Sequence, residues 1–517
     1  MGTDAMDDSF ALSVMLTGSV AFVLMLFYLL NAEDPHIQSY SWNVLSGSIC
    51  TFMGVRMGTA WNAVFSYYVL PPDASAMSKI LSNGALAFSW YIVLQLVLAW
   101  VCGLFKHAGH RAAASIVTMI LNLKCWAVML GIITGATSMG FFSSIQDLGK
   151  DSCLWVVSMP VAAFCMLGAL YYVGDSIRTQ ISKMDDDTID MYEFAWDKYT
   201  DQTEDMVVAL TVGHLTVQAS RYVLTGTLPL PSGDIRPGTE VEHSDVWTLA
   251  GSSLIYITLI VMVQLWSPPH DATFKVLLRR RGAQILANCT AFALFYSTTW
   301  YVTEVMTLTG PASSLLTALG VTLIGFALLL LLDFLADLEC TGERFDQSLQ
   351  QMVVPISVLV GFGWKGAFAA AGTTLVQDVS VLPAPLEQLI LAVILLLVIC
   401  PAWRMYILPV VMLEELRMMK RKRGELVSKT TVEGKAHEEM MDSQVKHAFH
   451  KVEDLLDNTS DERKMEAYLL ELERLHDSLR AKYDKTRTIA AKPTLPITTS
   501  QPEPVKSKTT GPWSLMH

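Results

Sequence analysis

A chain of 517 residues would suffice for roughly three or four soluble domains, but 52% hydrophobic and only 17% charged residues fit a membrane protein better. The formal net charge of −12 is uneven, with acid in the loops and base gathered at particular helix ends, and it offers no surface for a nucleic-acid partner. The 8 cysteines fall mostly inside apolar segments, with no CxxC pair and no histidine at metal-ligand spacing, so neither a metal nor a cofactor is expected.

In chain order, apolar runs predict about eleven membrane-spanning helices, near 9–31, 44–69, 83–105, 112–140, 153–175, 206–226, 246–267, 282–306, 314–336, 352–375 and 387–410. No basic flank precedes the first run, so it reads as a span and not as a cleaved signal. The second, sixth and tenth are the least apolar and are expected to face protein, or to re-enter without crossing.

Lys and Arg set the expected orientation. Lys106, Arg111, Arg178, Lys183, Lys198, Lys275 and Arg279–Arg281 collect on one side together with Arg417, Lys420, Arg421, Lys422 and Arg423. The other side has Lys79, Lys150 and Arg236. The C-terminus is therefore predicted cytoplasmic and the acidic N-terminus outside or lumenal, with no indication of which membrane.

One pattern recurs along the chain. A modestly polar helix ends in a proline turn at Pro71-Pro72, at Pro229-Leu230-Pro231 and at Pro383-Ala384-Pro385. A strongly apolar helix follows each time, closing on Trp100, Trp266 or Trp403 and then on base, as an interfacial anchor should. Asp201-Gln202 leads to Met206-Val207-Val208 much as Asp346-Gln347 leads to Met352-Val353-Val354. The expected architecture is all-α: a polytopic bundle over 1–410 with parallel four-helix internal repeats at about 9–140, 153–306 and 314–410, the last one incomplete.

Beyond it, 411–485 reads as a cytoplasmic basic and amphipathic helical region. Met441, Val445, Ala448, Val452 and Leu455 are spaced for a coiled-coil-like seam and offer self-association or a protein partner. Residues 486–517 have the composition of a disordered tail.

Three phrases carry a family resemblance: Ser39-Tyr40-Ser41-Trp42, Leu359 to Trp364, and Cys400 to Pro409. They resemble a group of multi-pass membrane proteins predicted from dinoflagellate genomes, over most of the membrane region. The resemblance implies the membrane architecture and transfers no catalytic residue.

Charge at membrane depth costs several kcal/mol unless it is paired or hydrated, so each such residue needs an explanation. Arg56, Lys124, His214, Arg221, Glu304, Asp333 and Lys365 fall within the predicted spans. In the sixth span Thr211, His214, Gln218, Arg221 and Thr225 recur at three and four and form one polar stripe. The stripe is either the lining of an aqueous path or a hydrogen-bonded seam between helices. Arg56 and Lys365 hold matching places in the repeat alignment; they either flank a pathway, or Arg56 pairs with Asp333 or Glu304 while Lys365 snorkels. Glycines beside Lys365 mark Gly363–Gly366 as the candidate for irregular backbone.

The acidic run Asp185, Asp186, Asp187 and Asp190 lacks the glycine and the glutamate of a calcium loop and reads as a solvated loop. The Arg417–Arg423 cluster suits anionic lipid headgroups. No Walker, HExxH or GxSxG motif is present, so an enzyme is not expected. Two functions fit: an ion or small-solute channel or transporter with its path near the second, sixth and tenth spans, or a non-transporting scaffold or sensor anchoring the helical tail in the bilayer.

Overall fold

The computed structural model describes residues 13, 17–18, 20–71, 73–105, 116–182, 191–265, 273–308, 310–336, 352–379 and 382–414. Asp185–Asp190, the Arg417–Arg423 cluster, the predicted coiled-coil segment and the tail lie outside these residues.

Among the described residues the chain forms about eleven helices and no strand. They are α1 (Val20–Leu30), α2 (Pro35–Val69), α3 (Ala76–Val101), α4 (Ile116–Leu148), α5 (Cys153–Ser182) and α6 (Met191–Thr225). There follow α7 (His243–Leu265), α8 (Thr273–Trp300), α9 (Gly310–Ala336), α10 (Val353–Val379) and α11 (Ala384–Ala402). Local chemistry sets several starts. Asp34 caps α2 by accepting from the His36 N–H at 2.6 Å, with Pro35 in the first turn, where its missing N–H costs nothing. Ser75 caps α3 through the Ser78 N–H.

Seven of the described helices are long and apolar enough to cross a membrane: α3, α4, α5, α7, α9, α10 and α11. The remaining long helices, α2, α6 and α8, are more polar. The helices also outrun the apolar segments that announce them. With 35 residues, α6 is about 52 Å long, against a hydrocarbon core of about 30 Å. Its polar first half is invisible to a hydropathy reading.

Packing sorts the helices by parity. The even-numbered helices form a closed ring in which α2 meets α4, α4 meets α6, α6 meets α8, α8 meets α10 and α10 returns to α2. Each odd helix lies outside, with α3 on α4, α5 on α6, α7 on α8, α9 on α10 and α11 on α2. Burial follows the same division: the apolar stretches of α4 and α10 are 67% and 56% buried, whereas those of α5, α7 and α11 are 28%, 22% and 11% buried. Hydropathy follows it too, since each of the odd helices from α3 onward is more apolar than any even one.

Small residues let the ring close. A Cβ at Gly361 of α10 would stand 2.6 Å from Thr51 Cβ and 2.9 Å from the Ser48 carbonyl oxygen of α2, so only glycine permits this approach. At Gly213 of α6 a Cβ would meet the backbone of α8, with Ile285 O and Cys289 N each 3.3 Å away.

Two expectations are corrected. Gly363–Gly366 is regular helix within α10; a Cβ at Gly363 would collide with Val321 of α9, so this glycine serves packing. Irregular backbone falls instead in two π-helical turns, Tyr301–Val305 after α8 and Trp403–Ile407 after α11, the latter just past Pro401, whose missing N–H breaks the α-helical ladder. Trp403 is not an interfacial anchor: it is 1% exposed and donates to Ser46 Oγ at 2.9 Å, while Arg404 donates to Asn122 Oδ1.

Ring closure makes a stability prediction. Gly361→Ala forces α10 off α2 and lowers stability by about 1–3 kcal/mol. Gly366→Ala, where a Cβ meets nothing within 4 Å, leaves it unchanged. Thermal unfolding of both variants in detergent checks the contrast.

Candidate functional site

Inside the ring lies a cavity of about 610 Å³. It is lined by α2 (Val55, Gly58, Thr59, Asn62), α4 (Thr137, Met139, Gly140, Ser144), α6 (His214, Arg221) and α8 (Phe295, Tyr296, Thr299, Trp300). Gly363, Lys365 and Gly366 of α10, Ser313, Ser314 and Thr317 of α9 and the loop Pro231–Ile235 complete the wall. The positions on α2, α4, α6 and α8 fall in the C-terminal halves of those helices and those on α10 near its middle, so the five inner helices run in one direction and open the cavity at one end of the bundle.

Arg221 stands at the centre of the wall and is 1% exposed. Its Nη1 donates to the Gly233 carbonyl at 2.8 Å, and its guanidinium lies 4.1 Å from the Tyr296 ring centre and 5.0 Å from that of Trp300. Its Nε has no hydrogen-bond partner among the described residues. The loop is built for this contact. Gly233 adopts a φ of +92°, and a Cβ there would overlap Tyr296 Oη, so glycine alone brings its carbonyl down to Arg221. Leu230 and Asp234 close the loop through a 3.0 Å backbone bond.

One helical turn deeper, Gln218 Nε2 donates to His214 Nε2 at 2.8 Å, which leaves the proton on Nδ1, 3.2 Å from Tyr296 Oη. Gln218 Oε1 and Thr211 Oγ1 find no hydrogen-bond partner among the described residues. The stripe expected from the sequence is therefore real as a buried face: Thr211, His214, Gln218 and Arg221 are all at most 2% exposed, with His214 and Arg221 on the cavity.

The other residues singled out in the sequence divide. Lys365 lines the cavity. Glu304 sits exposed in the π-helical turn at the rim, near Asp234, which is held by Ser232 Oγ at 2.7 Å. Arg56 is 4% exposed just behind the wall, with Nη2 close against α10 at Gly372 and Nε without a partner within the protein. Asp333 lies about 24 Å further along α9 than Thr317 at ~1.5 Å per residue, so it is not the partner of Arg56. Lys124 also lies away from the cavity, on the N-terminal part of α4.

Toward the other end the ring is filled. Phe362, on the cavity wall, meets Phe292 edge-on at 5.2 Å, and Met53, Met129, Ile132 and Leu210 pack beneath in the same apolar core.

About 25 Å along α6 from Arg221, a second polar cluster joins that end of the bundle. Glu204, 2% exposed, accepts from Arg178 at 2.8 Å and 3.2 Å, from Tyr91 Oη at 3.0 Å and from Gln95 at 2.9 Å. Arg178 also bonds Asp197 at 3.0 Å, while Arg280 and Arg281 of α8 pair with Asp201 and Asp205 of α6. Sequence reasoning missed this network. The available signal was the acidic run Asp201 to Asp205 at the start of one inner helix and the basic run Arg279–Arg281 at the start of the next.

Comparison with protein-family models, with curated proteins and with solved structures finds no match.

The network predicts an asymmetry. Arg178→Met strands a buried carboxylate and destabilises the protein by about 3–5 kcal/mol, whereas pairing it with Glu204→Leu restores most of the loss. Denaturant unfolding of the single and double variants measures the difference.

Proposed function

We propose that this chain is a multi-pass membrane protein that moves a small polar solute or ion, and that the solute enters through the cavity of the even-helix ring. The observation that carries the reading is a charged, glycine-lined cavity of about 610 Å³ enclosed by the most polar helices of an otherwise apolar bundle. A static seam would fill that space with side chains, because an empty polar interior costs both packing and hydration. Volumes of ~300–1,000 Å³ are those of small-molecule sites.

On this reading the bundle is open at the rim formed by Asp234 and Glu304 and closed at the other end. The closure has two layers: the apolar plug around Phe292 and Phe362, and the ion-pair network of Glu204 and Asp205. Passage requires the lower ring to part, as in alternating access. The clustering of Arg178, Arg280 and Arg281 at the closed end supports reading that end as the cytoplasmic one, since base gathers on the cytoplasmic side. The path lies among all five even helices, a wider set than the second, sixth and tenth.

In proteoliposomes, Gly366→Cys is expected to react with a membrane-impermeant thiol reagent from the outer side only, with the labelled site mapped by mass spectrometry. Solute flux or current should fall on modification, and deletion of 424–517 should leave it intact. A Gly366→Cys protein that reacts from neither side, or a reconstituted chain that carries no flux or current, sinks the proposal. Flux lost only on deleting the tail would favour the scaffold reading.

A further inference from the structure

Resting on that reading of the cavity, the geometry points to its ligand class: we infer that it binds a small organic carboxylate, with the anionic group between Arg221 and Lys365 and the carbon body against the aromatic wall.

The cavity lining carries two cations, Arg221 and Lys365, and two acids, Asp234 and Glu304, but both acids are exposed at the rim whereas the cations sit deeper in the wall. Arg221 and Lys365 line the cavity and Arg56 lies directly behind it, close enough to act electrostatically on Lys365. Among the described residues none of the three has a carboxylate within salt-bridge distance. Asp234 is the one acid of the cavity whose field reaches both Arg221 and Lys365, and it is exposed on the loop, already engaged by Ser232. Positive charge set back from the exposed acids, in a low-dielectric ring, attracts an anion as its counter-charge.

The donors favour an oxygen anion. Arg221 spends Nη1 on Gly233, and its planar fork keeps Nε without a partner among the described residues, at 1% exposure. A lysine ammonium brings three further donors.

The wall decides between an inorganic anion and an organic one. Tyr296 and Trp300 already hold the guanidinium from one side, and Phe295 and Phe362 extend the same apolar surface. A bare halide would leave most of about 610 Å³ unfilled. A carboxylate with a flat or apolar body uses both the cations and the rings.

The test is equilibrium binding to the purified full-length protein in detergent, followed by Trp fluorescence and titration calorimetry, with benzoate, chloride and tetraethylammonium as probes. Benzoate is expected to bind saturably and tetraethylammonium not at all. Arg221→Gln and Lys365→Gln should each weaken benzoate by at least about tenfold, the scale of a charged hydrogen bond. Lys365→Glu should abolish benzoate binding and admit tetraethylammonium. Because Arg221→Gln leaves Gly233 and the stacked rings without their partner, the Lys365 variants, whose side chain makes no hydrogen bond or ion pair among the described residues, keep the test decisive if the Arg221 variant unfolds. Preference for tetraethylammonium, benzoate binding untouched by the Lys365 variants, or chloride binding that excludes benzoate each overturns the inference. Benzoate binding without flux would sink transport and leave the site standing; flux with no benzoate binding would do the reverse.

Discussion

The constraint on which the structure depends is that a polar helix face has no place against hydrocarbon. Backbone and side-chain polar groups inside a bilayer must find partners within the protein or in water held by it. Five long helices of this chain carry such faces, and turning them toward one another produces the even-helix ring. The odd helices, apolar on most sides, are then free to lie outside, where large side chains such as Leu154, Leu254 and Leu397 stay exposed. Inner and outer positions alternate along the chain, with each outer helix packed on an inner one next to it in sequence except the last, which packs on α2. The same alternation explains why all five inner helices run in one direction.

What fills the ring differs at its two ends. At one end carboxylates and guanidinium groups pair with one another, with Glu204, Asp205 and Arg178 buried, in the chain Tyr91, Glu204, Arg178 and Asp197, and in the pairs of Arg280 and Arg281 with Asp201 and Asp205. At the other, cations face a cavity and keep unused donors. A network with every partner present fixes a geometry; one with partners missing is suited to receiving them. The proposed transport reading uses that contrast, with a locked end and a receptive end joined by α6.

Much of this was legible in the sequence, for definite reasons. The polar stripe of α6 was visible because His214, Gln218 and Arg221 break an apolar run at helical spacing. The special character of α2, α6 and α10 followed from their lower apolarity and their proline turns. What escaped was α4 and α8 as members of the same ring. The apolar content of α4 is high enough to read as lipid-facing, since its inner face is made of small residues and Thr134, Thr137 and Ser138, and not of charge. The basic start of α8 read as a loop anchor, although Arg280 and Arg281 reach across to α6. The role of Gly233 was not legible at all, because it depends on where Tyr296 ends up, more than sixty residues later in the chain. The Gly363–Gly366 segment shows the converse error: glycine beside a cation suggested broken helix, yet close approach of α9 to α10 explains it.

The most direct test of the inward-facing ring is spin-label accessibility in lipid vesicles, comparing nitroxides at Thr303 and Ala136 on the cavity with nitroxides at Leu154 and Leu397 on outer helices. The account predicts that a water-soluble nickel chelate relaxes the cavity labels while dissolved oxygen relaxes the outer ones. Cavity labels that respond to oxygen and not to nickel would show the even helices facing lipid, and would contradict it.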